Sequence, residues 1–66
     1  MKKDNYSIEE VALMINESRE RVLRIIADRG SLEGYTFAGW KEPRVARGAL
    51  QAYEASFGHV RWGAVQ

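Results

Sequence analysis

The chain contains no cysteine, one histidine (His59) and one proline (Pro43). Without cysteine, neither a disulfide nor a thiolate metal site staples the fold. A single histidine does not build a His-based metal site, so no metal and no cofactor is expected. Nucleophilic catalysis lacks its usual parts: there is no cysteine nucleophile and no second histidine. Glu9 and Glu10 are adjacent, which puts their carboxylates on different sides of a helix and does not suit paired acid–base work. Gly34 and Gly39 match no phosphate-cradling loop. His59 reads as a surface residue near a helix end. No enzyme and no catalytic residue is therefore expected. No apolar run is long enough to cross a membrane, and the Met1-Lys2-Lys3 start is not followed by an apolar signal core. A soluble intracellular protein is expected, with no membrane partner and no small-molecule ligand.

What is present fits one small domain, residues 1–66. A chain of this length buries only about 60% of its unfolded surface and is marginally stable. An apolar content of 45% argues against wholesale disorder. The net charge of +1 hides a polarity. From Arg19 to Arg47 there are seven basic and four acidic residues, a net of +3. The remainder holds three basic and five acidic residues, a net of −2. Such a distribution suits a polyanionic partner.

Read in order, Met1 to Asn5 is polar and is expected to be a loose arm. Tyr6 to Ile15 has the features of a first helix. Ser7 and Glu10 have capping-box spacing, Tyr6 and Val11 that of a hydrophobic staple. Ile8, Val11, Ala12 and Ile15 make a helical stripe. Asn16-Glu17-Ser18 is a short turn, with Asn16 tolerating the left-handed conformation that ends the helix. Ser18 caps a second helix, and Gly30 suits its left-handed stop. Val22, Leu23, Ile25, Ile26 and Ala27 supply that helix's apolar side, while Arg21, Arg24 and Asp28 share the opposite side. Two short helices joined this way form a helix-turn-helix pattern, whose second helix is the usual DNA reader. A plain helical hairpin with a solvated charged face is the alternative.

After Gly30 the period changes. Tyr35-Thr36-Phe37 has strand chemistry and Ala38-Gly39 turn chemistry, and Arg44-Val45 is able to pair back. Pro43 confines its neighbourhood to an edge or a bulge. A two-stranded hairpin over Tyr35–Val45 is predicted, its tip carrying Trp40 and Lys41. It lies against the helices with Tyr35, Phe37 or Val45 inward, because a lone hairpin is marginal in water. Arg47 to Phe57 reads as a third helix ending at Gly58, with Ala49, Leu50, Tyr53 and Phe57 as its stripe. His59 to Gln66 has no clear period and is expected to be a second loose arm.

Tyr6-Ser7-Ile8-Glu9-Glu10-Val11-Ala12, followed by Ser18-Arg19 with Val22, Arg24, Ile25 and Ile26, resembles the excisionase and MerR-like winged helix-turn-helix superfamily. So does Arg44-Val45-Ala46-Arg47-Gly48-Ala49-Leu50-Gln51-Ala52-Tyr53. The likeness covers roughly residues 6–54. The chain departs from the family pattern at Arg21, at Glu42-Pro43 and at Ala46. The resemblance implies an α+β fold: a small winged helix-turn-helix of three helices and a two-stranded β-hairpin wing. Members of this length resemble phage or integrative-element excisionases, which are recombination directionality factors. They bind repeated sites beside an attachment site, bend the DNA and help an integrase excise it. MerR-type activators are longer, with a dimerisation helix and effector domain that this sequence lacks.

On that basis the expected partners are double-stranded DNA, a tyrosine-type integrase and neighbouring copies of the chain on DNA, in the nucleoid of a bacterial host cell. Glu20, Arg21 and Arg24 are the candidates for base edges, because arginine pairs bidentately with guanine and glutamate accepts from cytosine. Ser18 caps the reading helix and Arg19 meets phosphate. Lys41 and Arg44 reach the backbone or the minor groove from the wing, and Arg47 touches phosphate or starts the third helix. Trp40 is either core or a wing-tip contact. A small element-encoded transcriptional regulator of the same fold is the nearest alternative. A protein-interaction adaptor, whose arginines meet an acidic protein, is the alternative from another class.

Overall fold

The structure is a computed structural model that describes residues 4–65. Met1–Lys3 and Gln66, the ends of the two expected arms, lie outside the described residues. The order is β1 (Asn5–Tyr6), α1 (Ile8–Ile15), α2 (Arg19–Ala27), β2 (Val45–Ala46) and α3 (Arg47–Phe57), followed by a 3-10 turn at Trp62–Ala64. Among the described residues the class is α+β, with three helices and one two-stranded antiparallel sheet. No helix among the described residues is long and apolar enough to cross a membrane.

The first helix forms as its caps dictate. Ser7 accepts from the Glu10 amide and Glu10 accepts from the Ser7 amide, at 3.2 and 2.9 Å. Tyr6 stands before the cap in β1 and is buried together with Val11. Asn16 ends the helix at φ 59°, ψ 48°, and the Asn16 and Glu17 amides both reach back to the Ala12 carbonyl. The following turn is as short as expected. Ser18 then accepts from the Arg21 amide at 3.1 Å and starts α2.

The end of α2 differs from expectation. Arg29, not Gly30, takes the left-handed conformation, at φ 52°. The Arg29 amide donates to the Ile26 carbonyl and the Gly30 amide to the Ile25 carbonyl, both at 3.1 Å. This is a Schellman closure in which glycine sits one position late. Arginine at the left-handed position costs on the order of 1–2 kcal/mol, against the two carbonyls it helps to satisfy.

The predicted hairpin is also corrected. Tyr35 and Arg44 form a single antiparallel bridge, their amides and carbonyls paired at 2.9 and 2.8 Å. Beyond that bridge the two arms of the loop, among the described residues, form no further strand pairing with each other. Val45 and Ala46 instead pair with Tyr6 and Asn5 to make the sheet. The reason is burial. Val45 is wholly enclosed, and its backbone reaches a core position only by leaving the loop and joining β1. Of the three side chains expected to point inward, Val45 does so. Phe37 is exposed and Tyr35 is half-buried. The sheet also starts α3. Ala46 offers no side-chain cap, and the Arg47 amide donates instead to the Asp4 carbonyl at 3.0 Å.

Neither arm is loose where it is described. Asn5 lies in the sheet. At the other end Val60 is buried, and the Arg61 amide donates to the Met14 carbonyl at 2.8 Å, satisfying an acceptor at the end of α1. Trp62 donates through Nε1 to Glu54 at 3.2 Å and meets Tyr6 edge-on. The α3 stripe buries Leu50 and packs Ala49 and Tyr53 at its margin. Phe57 stays exposed, its ring against Tyr53. The core joins Tyr6, Ile8, Val11, Met14 and Ile15 to Val22, Leu32, Val45, Leu50 and Val60.

Gly34 marks the tightest backbone approach in the loop. A Cβ there would stand 2.8 Å from Ile26 Cγ2 and 3.2 Å from Cδ1. Gly34→Ala is expected to lower the unfolding free energy by about 1–3 kcal/mol in urea denaturation. In an Ile26→Ala background the same change is expected to cost much less, because the obstructing atoms are gone.

Candidate nucleic-acid interface

Val22 sets the geometry of α2. It is the helix's fully buried side chain, with Leu23, Ile25 and Ile26 half-buried beside it. Ala27, expected on the apolar side, is exposed. Helical periodicity then leaves Glu20, Arg21, Arg24 and Asp28 in solvent. Among the described residues, the side chains of Glu20, Arg21 and Arg24 have no hydrogen-bond or ion-pair partner. Two guanidinium groups and a carboxylate therefore project from one rigid element with nothing in the protein to satisfy them.

Arg19 is placed differently from its neighbours. Its Nε donates to Glu9 of α1 at 2.8 Å, and its terminal nitrogen pairs with Glu42 of the loop. One guanidinium thus ties α1, the start of α2 and the returning arm of the loop. The donated hydrogen bond from Arg19 is the main reason the Glu9 carboxyl is held below the ordinary carboxylate range. Both pairs lie at the surface, where solvent screens them, so they add little to stability. Their importance is positional, because Glu42 is held at the N-terminus of α2 and Lys41 beside it is exposed.

Arg44 and Arg47 are drawn toward the sheet. Arg44 is half-buried and donates through Nε to Asn5 Oδ1 at 2.6 Å. Arg47 lies 3.4 Å from Asp4 Oδ1, with its side chain 26% exposed. Of the eight residues expected at the interface, α2 and the loop therefore bring together Ser18, Arg19, Glu20, Arg21, Arg24 and Lys41. Arg44 contacts β1 through Asn5, and Arg47 contacts Asp4 just before it. Ser18 acts through its cap.

Three aromatic rings complete the surface. Tyr35, Phe37 and Trp40 meet pairwise with centroids 4.9 to 5.9 Å apart. The Trp40 amide closes a turn on the Phe37 carbonyl at 3.1 Å, with Gly39 at φ 92°. Trp40 is 42% exposed, so it belongs to the surface more than to the core. Phe37 stands among three alternatives for the inward side chain in the sequence reading, and its exposure decides against it; the advance signal is its three-residue spacing from Trp40 across a glycine turn. Asn5, Glu9 and Glu42 were missed for another reason, since partners distant in sequence leave no local pattern.

Arg19→Ala is expected to raise the Glu9 titration midpoint toward the ordinary glutamate range, followed by carboxyl carbon shifts in NMR. A lowered carboxyl pKa contributes stability above the ordinary midpoint and loses it as pH falls through the lowered one. The Arg19–Glu9 tie is therefore intact at neutral pH and lost on acidification below that range.

No protein-family model, no curated protein and no solved structure matches this chain.

Proposed function

We propose that the chain binds double-stranded DNA sequence-specifically as a winged helix-turn-helix protein, with α2 in the major groove and the loop of residues 31–44 as the wing. The observation that carries this reading is the outward face of α2, where Glu20, Arg21 and Arg24 are exposed and unpartnered while Val22 fixes the helix to the core. A major groove admits an α-helix, and nine residues span about 13 Å. Arginine supplies paired donors for guanine. Glutamate is repelled by phosphate but accepts from the cytosine amino group, so its position between Arg19 and Arg21 favours base reading over bulk polyanion binding. Lys41 supplies a backbone contact from the loop. Arg19 acts in this reading as the strut that sets the loop against α2.

The resemblance of residues 6–54 to excisionases supports a role as a recombination directionality factor. The chain then binds repeated sites as neighbouring copies, bends the DNA and assists a tyrosine-type integrase. It acts by binding rather than by catalysis and needs no cofactor.

On a site selected from random duplex, Arg24→Ala is expected to cost about 1–3 kcal/mol of specific binding and to relax preference at one base pair. Lys41→Ala is expected to weaken all sequences alike and to reduce the salt slope by about 1. Gel shifts over a salt series read both. If the wild-type chain binds no duplex at low salt, the DNA reading is wrong and a protein-interaction adaptor takes its place.

A further inference from the structure

The aromatic loop tip has no role in the reading face of α2, and its construction is specific. Phe37 is 63% exposed, yet it is not an isolated surface ring. Trp40 meets it edge-on at 4.9 Å and Tyr35 at 5.8 Å. Tyr35 is fixed by its two backbone hydrogen bonds to Arg44. Trp40 is fixed by the turn bond to Phe37, and it lines a hollow of about 360 Å³ that also includes Ser7 and Ile8 at the start of α1. Phe37 is therefore braced from two sides and presented outward. Scattered single apolar residues on a surface call for no explanation. A three-ring cluster whose outermost ring is the most exposed is a pre-organised contact.

The surroundings define the kind of partner. Between Tyr35 and Lys41 the sequence is Thr36-Phe37-Ala38-Gly39-Trp40, with no acidic residue. The nearest acid on the returning arm, Glu42, is occupied by Arg19. Lys41 projects next to Trp40. Ala38 and Gly39 are small, and a Cβ at Gly39 would meet nothing within 4 Å, so the tip is narrow. The Arg19–Glu42 tie holds the arm at the N-terminus of α2, and two residues of chain, at most about 7 Å, separate Glu42 from Trp40. The tip thus lies within a short reach of the start of the helix that carries Arg21 and Arg24.

We propose that Phe37 is an apolar wedge that enters the minor groove beside the α2 site and partly unstacks one base step, with Tyr35 and Trp40 as its backing and Lys41 on the flanking phosphate. This rests on the DNA-binding reading and names the contact that produces the bend. A side chain inserted between base pairs kinks the duplex toward the major groove. Stacking on a base face is insensitive to base identity, so the wedge reads no base edge and its one preference is for steps that open easily, pyrimidine–purine above all.

The test uses the full chain and duplexes carrying 2-aminopurine at successive positions on either side of the selected site. Wild type is expected to raise 2-aminopurine fluorescence at one step and to bend the duplex in end-to-end energy transfer. Phe37→Ala is expected to abolish both signals and to weaken binding roughly 5- to 100-fold. The salt slope stays unchanged, because no phosphate contact is lost. Phe37→Leu keeps an apolar wedge and is expected to restore most of the bend. Because Phe37 is exposed, circular dichroism melting of these variants is expected to match wild type. Wild-type binding with no fluorescence change at any step, or a Phe37→Ala variant that still unstacks and bends, overturns the wedge and leaves the DNA reading standing. A Phe37→Ala variant that bends normally but changes the sedimentation of the free protein overturns it in favour of a contact between copies. Absence of binding to any duplex by wild type overturns the DNA reading and the wedge together.

Discussion

The burial of Val22 in the core is the constraint on which the rest of this molecule depends. A helix of nine residues is too short to persist by its own hydrogen bonds and must borrow stability from packing. Val22 provides that anchorage, with Leu23, Ile25 and Ile26 at its margin. Once one side of so short a helix is committed, the periodicity leaves no freedom over the other. Arg21 and Arg24 face solvent because Val22 cannot. The caps at Ser7, Asn16 and Ser18 fix where each helix begins or ends, and so which residues occupy that outward side.

The charged residues divide by what they touch. Arg19, Arg44 and Arg47 engage Glu9, Glu42, Asn5 and Asp4 and hold segments together. Glu20, Arg21, Arg24 and Lys41 remain available to a partner. A domain this small has few apolar groups with which to position a long loop. It seats Leu32 in the core and adds an arginine between two carboxylates and one arginine–asparagine hydrogen bond. This division narrows the proposed interface to one helix face and one loop, and the aromatic tip is an exposed apolar feature of that loop.

Much of this was legible from local chemistry. The capping box, the Asn16 stop, the Ser18 cap and the span of α3 depend on residues within four positions of one another, so composition and spacing suffice. What depends on distant partners was not legible. Val45 joins Tyr6 across most of the chain, and that pairing turned an expected hairpin into a single bridge. Arg61 and Val60 are held by the end of α1, which nothing in their own segment announces. The left-handed residue after α2 was assigned to Gly30 on propensity. The position of the last helical turn, one residue earlier, gave it to Arg29. At the interface, the free side chains of α2 followed from periodicity. The engagement of Arg19 and Arg44 required knowledge of the loop's path.

The central claim is that α2 reads base edges in a major groove. Methylation interference tests it most directly. Duplexes bearing the selected site are methylated sparsely at guanine N7, the atom an arginine would share with O6, and the bound fraction is separated and sequenced. The account predicts strong depletion at one or two guanines within a single major-groove face of the site. Equal methylation of bound and free DNA at every guanine would contradict it.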